Sequence, residues 1–206
     1  MTAHVDLRSY TDSRGIPTLV LVDVQQEYTA SPRQLALPHA AEALERCRAA
    51  IAHARAMGLP VAFVRWLGKS PYFNAASPFA DWIDGFQPNS VDMIFERSKP
   101  SCYASSQFAK IIDQAGGHFV LAGFAGEAAC LSNAIDAFHR GHQMTFLADA
   151  STSHSLHDIN AKETHRVISK IISLYANVVD TVSWTSAPIR RVMWGPEYGG
   201  DVQRPA

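Results

Sequence analysis

Asp23 closes the apolar run PTLVLVD at 17 to 23 and is followed by the polar string Gln25, Gln26, Glu27 and Tyr28. A carboxylate at the mouth of a hydrophobic strand is partly stripped of water, which raises its pKa and suits it to proton transfer. An aspartate that only caps the next turn would stand in the same place. The second stretch with chemical content is GFAGEAACLSNAIDAF, residues 123 to 138, which runs from a buried strand through small residues into a helix. Free N–H groups at such a helix start, with the positive end of its dipole, offer a place to an anion or a developing oxyanion. A thiol there has a lowered pKa and is a good nucleophile; Cys130 stands close to that point, unless its helix phase turns it into the core.

Other site types lack their signatures. The chain contains no G-x-S-x-G, H-E-x-x-H, G-x-x-x-x-G-K-[ST] or G-x-G-x-x-G. Its nine histidines fail to pair at ligand spacing: His154 and His157 lie in a polar loop, and His139 and His142 at a helix end, where surface or helix-terminus roles are the simpler reading.

These groups need a scaffold, and the hydrophobic pattern supplies one. Runs rich in β-branched and aromatic residues at 17 to 23, 60 to 66, 117 to 124, 143 to 149 and 176 to 184 read as buried strands, with a weaker sixth at 92 to 97. Between them, apolar residues at three and four spacing predict helices at roughly 39 to 57, 104 to 115, 127 to 140 and 160 to 174. Alternating strands and helices imply right-handed crossovers and a mostly parallel sheet covered on both faces. Ligands of such sheets bind outside the carboxyl ends of the strands, which selects Asp23 to Tyr28, Arg65 to Leu67, Arg97 to Tyr103, Phe124 to Cys130 and Asp149 to Ser151. Residues 67 to 91, rich in Pro, aromatics, Asn and Ser, have the look of a substrate-covering loop.

Composition narrows the partners. The 206 residues carry 18 Lys+Arg against 19 Asp+Glu, a formal net charge of -1, which removes the electrostatic case for a nucleic-acid or acidic-membrane partner. No stretch reads as a secretory signal or a membrane span, so a cytoplasmic location is expected. Cys47, Cys102 and Cys130 are odd in number and far apart, which suggests neither a disulfide framework nor a zinc ribbon. One domain over residues 1–206 is expected, with an N-terminal lead at 1–15 and a turn-rich, aromatic C-terminal arm at 185–206 that packs on a neighbouring subunit.

Across roughly residues 15 to 185 the chain resembles the isochorismatase-like hydrolases, also called the cysteine hydrolase superfamily. The matching stretches are LVLVDVQQEY, with Tyr28 in place of the family's Phe, then FVLAGFAGEAACLSNAIDAFHRGH and TFLADASTS. The resemblance implies a three-layer α/β/α sandwich with a six-stranded, mostly parallel sheet, a homo-oligomer (dimer or tetramer), and a small-molecule pocket around an Asp, a Lys and usually a Cys. Asp23 matches the catalytic aspartate. Ser101, Cys102 and Tyr103 match the step after the third strand, which puts Arg97 at the lysine position, with Lys99 two residues on. Arg97 would act electrostatically, since guanidinium does not hand over a proton, unless a loop shift brings Lys99 in. The resemblance also implies a cis peptide between Phe124 and Ala125, with the N–H groups of Ala125 and Ala129 as an oxyanion hole.

The nucleophile position falls on Ala129, Gly126 stands where Thr is usual, and Cys130 comes one residue late. Three readings follow. The chain is a non-thiol member that uses Asp23 to protonate a substrate carbon or position water, as in isochorismatase-type vinyl-ether hydrolysis. Or Ala129 stands for a replaced nucleophilic Cys of an enzyme hydrolysing C–N (amide) bonds. Or Cys130 serves after a local shift, against a turn of ~100° per residue on a helix. A catalytically inactive binding or scaffold member is the rival from another class. The metal-binding branch of the family uses an Asp-x-His element after the second strand; the chain has no such triplet, so neither metal nor cofactor is expected. Gln25, Tyr28, Arg65, Trp66, Tyr103, Phe124 and Ala125 are the candidate substrate-binding residues, with Tyr72, Phe73 and Trp82 as further pocket-wall aromatics, suited to a small planar or carboxylated molecule.

Overall fold

Five residues in a row, Thr18–Val22, have no solvent exposure, as a strand covered on both faces requires; they form β1 in the middle of the sheet. The computed structural model describes residues 16–187. Beside β1 lie β2 (Val61–Trp66), β3 (Met93–Arg97), β4 (His118–Gly123), β5 (Gln143–Leu147) and β6 (Asn177–Val179), in the order β3-β2-β1-β4-β5-β6. All five pairings are parallel.

Alternation along the strands divides the core into two layers. Leu19, Leu21 and Phe63 face α1 (Ala40–Ala56) and pack with Leu44, Cys47 and Ile51. Val20, Val22 and Leu121 face α2 (Ser106–Gln114), α3 (Leu131–His139) and α4 (Ala161–Ile172) and pack with Phe108, Ala134 and Ile168. Cys47 and Cys102 are free thiols in these layers, each pushed up to about 12 by burial and so inert at neutral pH. The sandwich expected from the strand rhythm is the architecture found.

The run 176 to 184 departs from the expected strand. Only Asn177–Val179 pair; Asp180 then caps α5 (Thr181–Ser186), its carboxylate accepting the Ser183 N–H at 2.6 Å. One local cap outweighs the β-branched composition. The weak strand at 92 to 97 is β3, an edge strand whose exposed Ile94 and Glu96 blur the hydrophobic pattern. From residue 188 onward the predicted C-terminal arm lies outside the described residues, as does the lead at 1–15. Among the described residues no helix is long and apolar enough to cross a membrane.

Two features of this topology position a site. The strand order reverses between β1 and β4, and ligands of such sheets bind outside the carboxyl ends at that reversal. The segment 67 to 91 covers that end and is held by Glu27: its buried carboxylate takes Arg33 in a fork at 2.7 and 3.0 Å, and Arg33 also donates to the Pro71 carbonyl at 2.9 Å.

Candidate active site

At the carboxyl end of β1 the chain turns sharply, and Asp23 takes a left-handed backbone conformation (φ 50°), held by its N–H donating to the Val64 carbonyl at 2.8 Å. A non-glycine residue in that region is uncommon and marks a backbone held by its surroundings. The Asp23 side chain, 1 % exposed, meets Arg97 at the end of β3: Arg97 Nη2 donates to Asp23 Oδ2 and Nη1 to the Lys99 carbonyl. The guanidinium carbon lies 4.8 Å above the Trp66 ring on the intervening strand β2. Asp23 Oδ1 is buried without a hydrogen-bond partner, and so is Arg97 Nε. Burial pushes the Asp23 carboxyl up to about 6, although the Arg97 charge and hydrogen bond pull the other way. The result is a carboxyl group that changes protonation near neutrality, with one oxygen anchored and the other buried without a partner.

Facing it, the β4 turn crosses β1 closely. Gly123 (φ 112°) leaves no room for a side chain, since a Cβ would sit 2.1 Å from the Val22 carbonyl oxygen. The next residue, Phe124, donates its N–H to that same oxygen at 2.8 Å. The Phe124–Ala125 peptide is cis. Gly126–Cys130 then form a single π-helical turn before α3, in which the Cys130 N–H reaches back five residues to the Ala125 carbonyl at 3.2 Å. Such bulges are frequent at functional sites. Ala129 is buried in this turn and carries no reactive atom on its side chain. The Cys130 thiol points away into the core, 3.6 Å from both the Gly123 carbonyl and Ser151 Oγ, and burial holds it well above the usual thiol range. The thiol one residue after position 129 is therefore packed in the core and not presented with Ala129.

Gly126 has its own explanation. A Cβ there would meet Ser153 Oγ at 2.6 Å and His165 Nδ1 at 2.9 Å, because a Ser153–His165 pair (3.1 Å) occupies that space. Gly126→Ala should therefore destabilise the protein by about 1–3 kcal/mol through overpacking, measured as a lower midpoint in urea unfolding.

Aromatic rings pack together over this end of the sheet. Phe73 from the covering loop stacks on Trp66 (centroids 5.9 Å) and meets Tyr28 at 5.2 Å; Tyr28 in turn meets Phe124 edge-on at 5.7 Å. Behind Tyr28 stands an ion pair that sequence reasoning did not single out. Glu127 Oε1 lies 2.6 Å from His154 Nδ1, and the His154 ring centroid is 6.1 Å from that of Tyr28. The signal for Glu127 was its place inside the turn; His154 carried none, being one polar loop residue among several.

Four of the expected site residues have other employment. Gln25 is fully buried, and its amide makes three backbone bonds, to the Trp66 carbonyl (3.0 Å), the Ala80 carbonyl (2.7 Å) and from the Trp66 N–H (2.8 Å), so it staples loop to strand and has no group left for a substrate. Arg65 turns to Glu96 on β3 at 2.6 Å. Tyr103 lies in the α2–α3 layer, its hydroxyl 2.7 Å from His142 Nδ1 and its ring under Arg140. Lys99 is exposed and offers only its carbonyl, so Arg97 is the cation beside Asp23. Trp82 packs edge-on against Phe63 and Tyr72 bonds Gln34. Among the described residues no cluster of three or more His, Cys, Asp or Glu could hold a metal ion.

The six-stranded parallel architecture is shared with known proteins. The isochorismatase domain family matches residues 17–181. The chain belongs to this family of hydrolases. Its fold is similar to that of an isochorismatase from Pseudomonas putida KT2440, at 22% identity and TM-score 0.76 over 89% of this chain and 93% of that one. A cysteine hydrolase from Pseudomonas syringae pv. phaseolicola 1448A aligns at 16% identity and TM-score 0.75, covering 82% and 91%. An isochorismatase-like hydrolase from Alkaliphilus metalliredigens aligns at 14% identity and TM-score 0.72, covering 82% and 96%. No curated protein matches the chain.

Proposed function

We propose that this hydrolase cleaves a small planar or carboxylated vinyl ether without a covalent intermediate, using Asp23 as general acid. The observation that carries this reading is the Asp23 carboxyl itself, buried, pushed up to about 6, with Oδ1 unpartnered, in a site where position 129 is alanine. A carboxyl with that pKa is about one-tenth protonated at pH 7, enough to serve as an acid. In the proposed step Asp23 gives its proton to the terminal vinyl carbon and the ether-bearing carbon becomes an oxocarbenium ion. Water adds to that carbon and gives a proton back to the Asp23 carboxylate, and the hemiketal breaks into a ketone and an alcohol as its hydroxyl proton passes to the departing oxygen. Arg97 stabilises the carboxylate left behind. The N–H groups of Ala125 and Ala129 would receive a substrate carboxylate, and Trp66, Tyr28 and Phe124 its flat face.

C–N hydrolysis through a thiol is the second reading, favoured only by the position of Ala129 in the turn. A panel of vinyl ethers and amides, assayed with the chain as it stands and with Ala129→Cys, separates the two. Vinyl-ether turnover that is present with alanine and falls as pH rises above about 6 supports the proposal. Amide turnover that arises only with the thiol overturns it, and binding without turnover of either class points to an inactive member.

A further inference from the structure

Both ring nitrogens of His154 face hydrogen-bond acceptors. Nδ1 lies 2.6 Å from Glu127 Oε1, and Nε2 lies 3.1 Å from the Leu35 carbonyl oxygen. A carbonyl only accepts, so Nε2 carries a proton; a carboxylate only accepts, so Nδ1 carries one too, and the ring that satisfies both is the imidazolium. Glu127 Oε1 also accepts the His154 backbone N–H at 3.4 Å, which favours its ionised form. The groups that face the ring are the Glu127 carboxylate from the 126–130 turn, the Leu35 carbonyl from the 29–39 loop, and the Tyr28 ring. The directions agree: the Glu127 hydrogen bond holds His154 above the usual histidine range. For Glu127, burial pulls upward, but the hydrogen bond and charge of His154 help to bring the carboxyl below its ordinary value.

This one side chain ties three segments together. It joins the π turn, which carries the N–H groups expected to receive an anion, to the 29–39 loop and to the loop that follows β5. Glu127 is a neighbour of Gly126 in that turn, so a change in its partner is felt where the substrate anion would bind. Tyr28 stands beside the pair, its ring centroid 6.1 Å from that of His154 and 5.7 Å from that of Phe124; burial raises its hydroxyl first, the Asp23 charge adds to that and the Arg97 charge opposes it.

We propose that His154, protonated on both nitrogens, is a positioning residue that holds the 124–130 turn in its working geometry, and that turnover requires its imidazolium form as well as the acid form of Asp23. The catalytic half of this inference rests on the function proposed above; the protonation half does not. Above pH 6 the logarithm of the rate should fall with slope −1 from Asp23 alone and steepen towards −2 over the range in which His154 loses its proton.

The first test is nitrogen NMR of the full chain labelled in its histidine rings, with His154→Asn used to assign the signal. The expected result is a ring protonated on both nitrogens at pH 7 that titrates above the ordinary value of about 6.5, and that returns towards it in Glu127→Gln. A single-proton ring at pH 7 overturns the proposal. The second test is hydrogen exchange of the 124–130 amides, corrected for intrinsic rate. Their protection should fall as His154 deprotonates in the unaltered chain and show no such step in His154→Asn. The third is kinetic: His154→Asn should lower kcat about tenfold with little change in KM and restore a slope of −1. An unchanged kcat and pH profile would overturn the positioning role. Where no turnover is found in any form, the NMR and exchange results still decide His154, and the failure belongs to the Asp23 reading.

Discussion

Asp23→Asn is expected to lower kcat by about 10²–10⁴-fold, the range ordinarily supplied by a general acid or base. Asparagine keeps the shape and can still accept from Arg97, but it has no proton to give on Oδ1, the oxygen that the fold leaves without a partner. Binding of an unreactive analogue should change far less than turnover. The same variant has a thermodynamic signature. Because the folded carboxyl titrates near 6, above the ordinary 3.8, the folded state holds the proton more tightly than the unfolded chain. Its favourable contribution is complete below about pH 4 and lost as pH rises through 6, a swing of about 3 kcal/mol. Asp23→Asn should therefore flatten the pH dependence of unfolding between pH 4 and 6 relative to the unaltered chain. If urea midpoints of the two proteins run parallel across that window, the raised pKa, and with it the case for an acid at neutral pH, is refuted.

Arg97→Met should be the most destabilising single change at the site, by about 3–5 kcal/mol at pH 8. Methionine fills much of the space but leaves Asp23 ionised, buried and unpaired, and frees the Lys99 carbonyl. Asp23 can escape by taking up a proton, so the loss should shrink as the pH is lowered towards 5, where the carboxyl is protonated in either protein. Arg97→Lys separates charge from shape: it keeps a cation but cannot reach Asp23 and the Lys99 carbonyl at once. Thermal or urea unfolding of the two variants at pH 5 and pH 8 reads all four values. A loss in Arg97→Met that is independent of pH would mean that Arg97 stabilises by packing on Trp66 and not through the Asp23 charge.

Most of the architecture was legible before any coordinates. Short apolar runs alternating with helical periodicity leave few parallel topologies, and the rule that ligands sit at the carboxyl ends picked out Asp23 and the 123–130 turn, which do face one another. The weakest run, 92 to 97, was legible only as a hint, since an edge strand exposes alternate residues. Local chemistry misled at 176 to 184, where the Asp180 cap converts a β-branched stretch into a helix start.

The finer site was another matter. Gln25, Arg65 and Tyr103 sit at or beside strand ends, where local spacing says that a side chain is near the site but not which way it points. Whether Arg97 or Lys99 meets Asp23 depends on a contact across 74 residues, and the Glu127–His154 pair spans 27. What the sequence by itself determined is the order of strands and helices, the carboxylate at β1 and the absence of a thiol at position 129. What the tertiary structure alone decided is the helix phase that buries Cys130, the burial that tunes Asp23, and the cross-chain partners of Glu127 and His154. Periodicity is a local property of the chain, whereas desolvation and pairing are set by atoms that folding brings in from elsewhere.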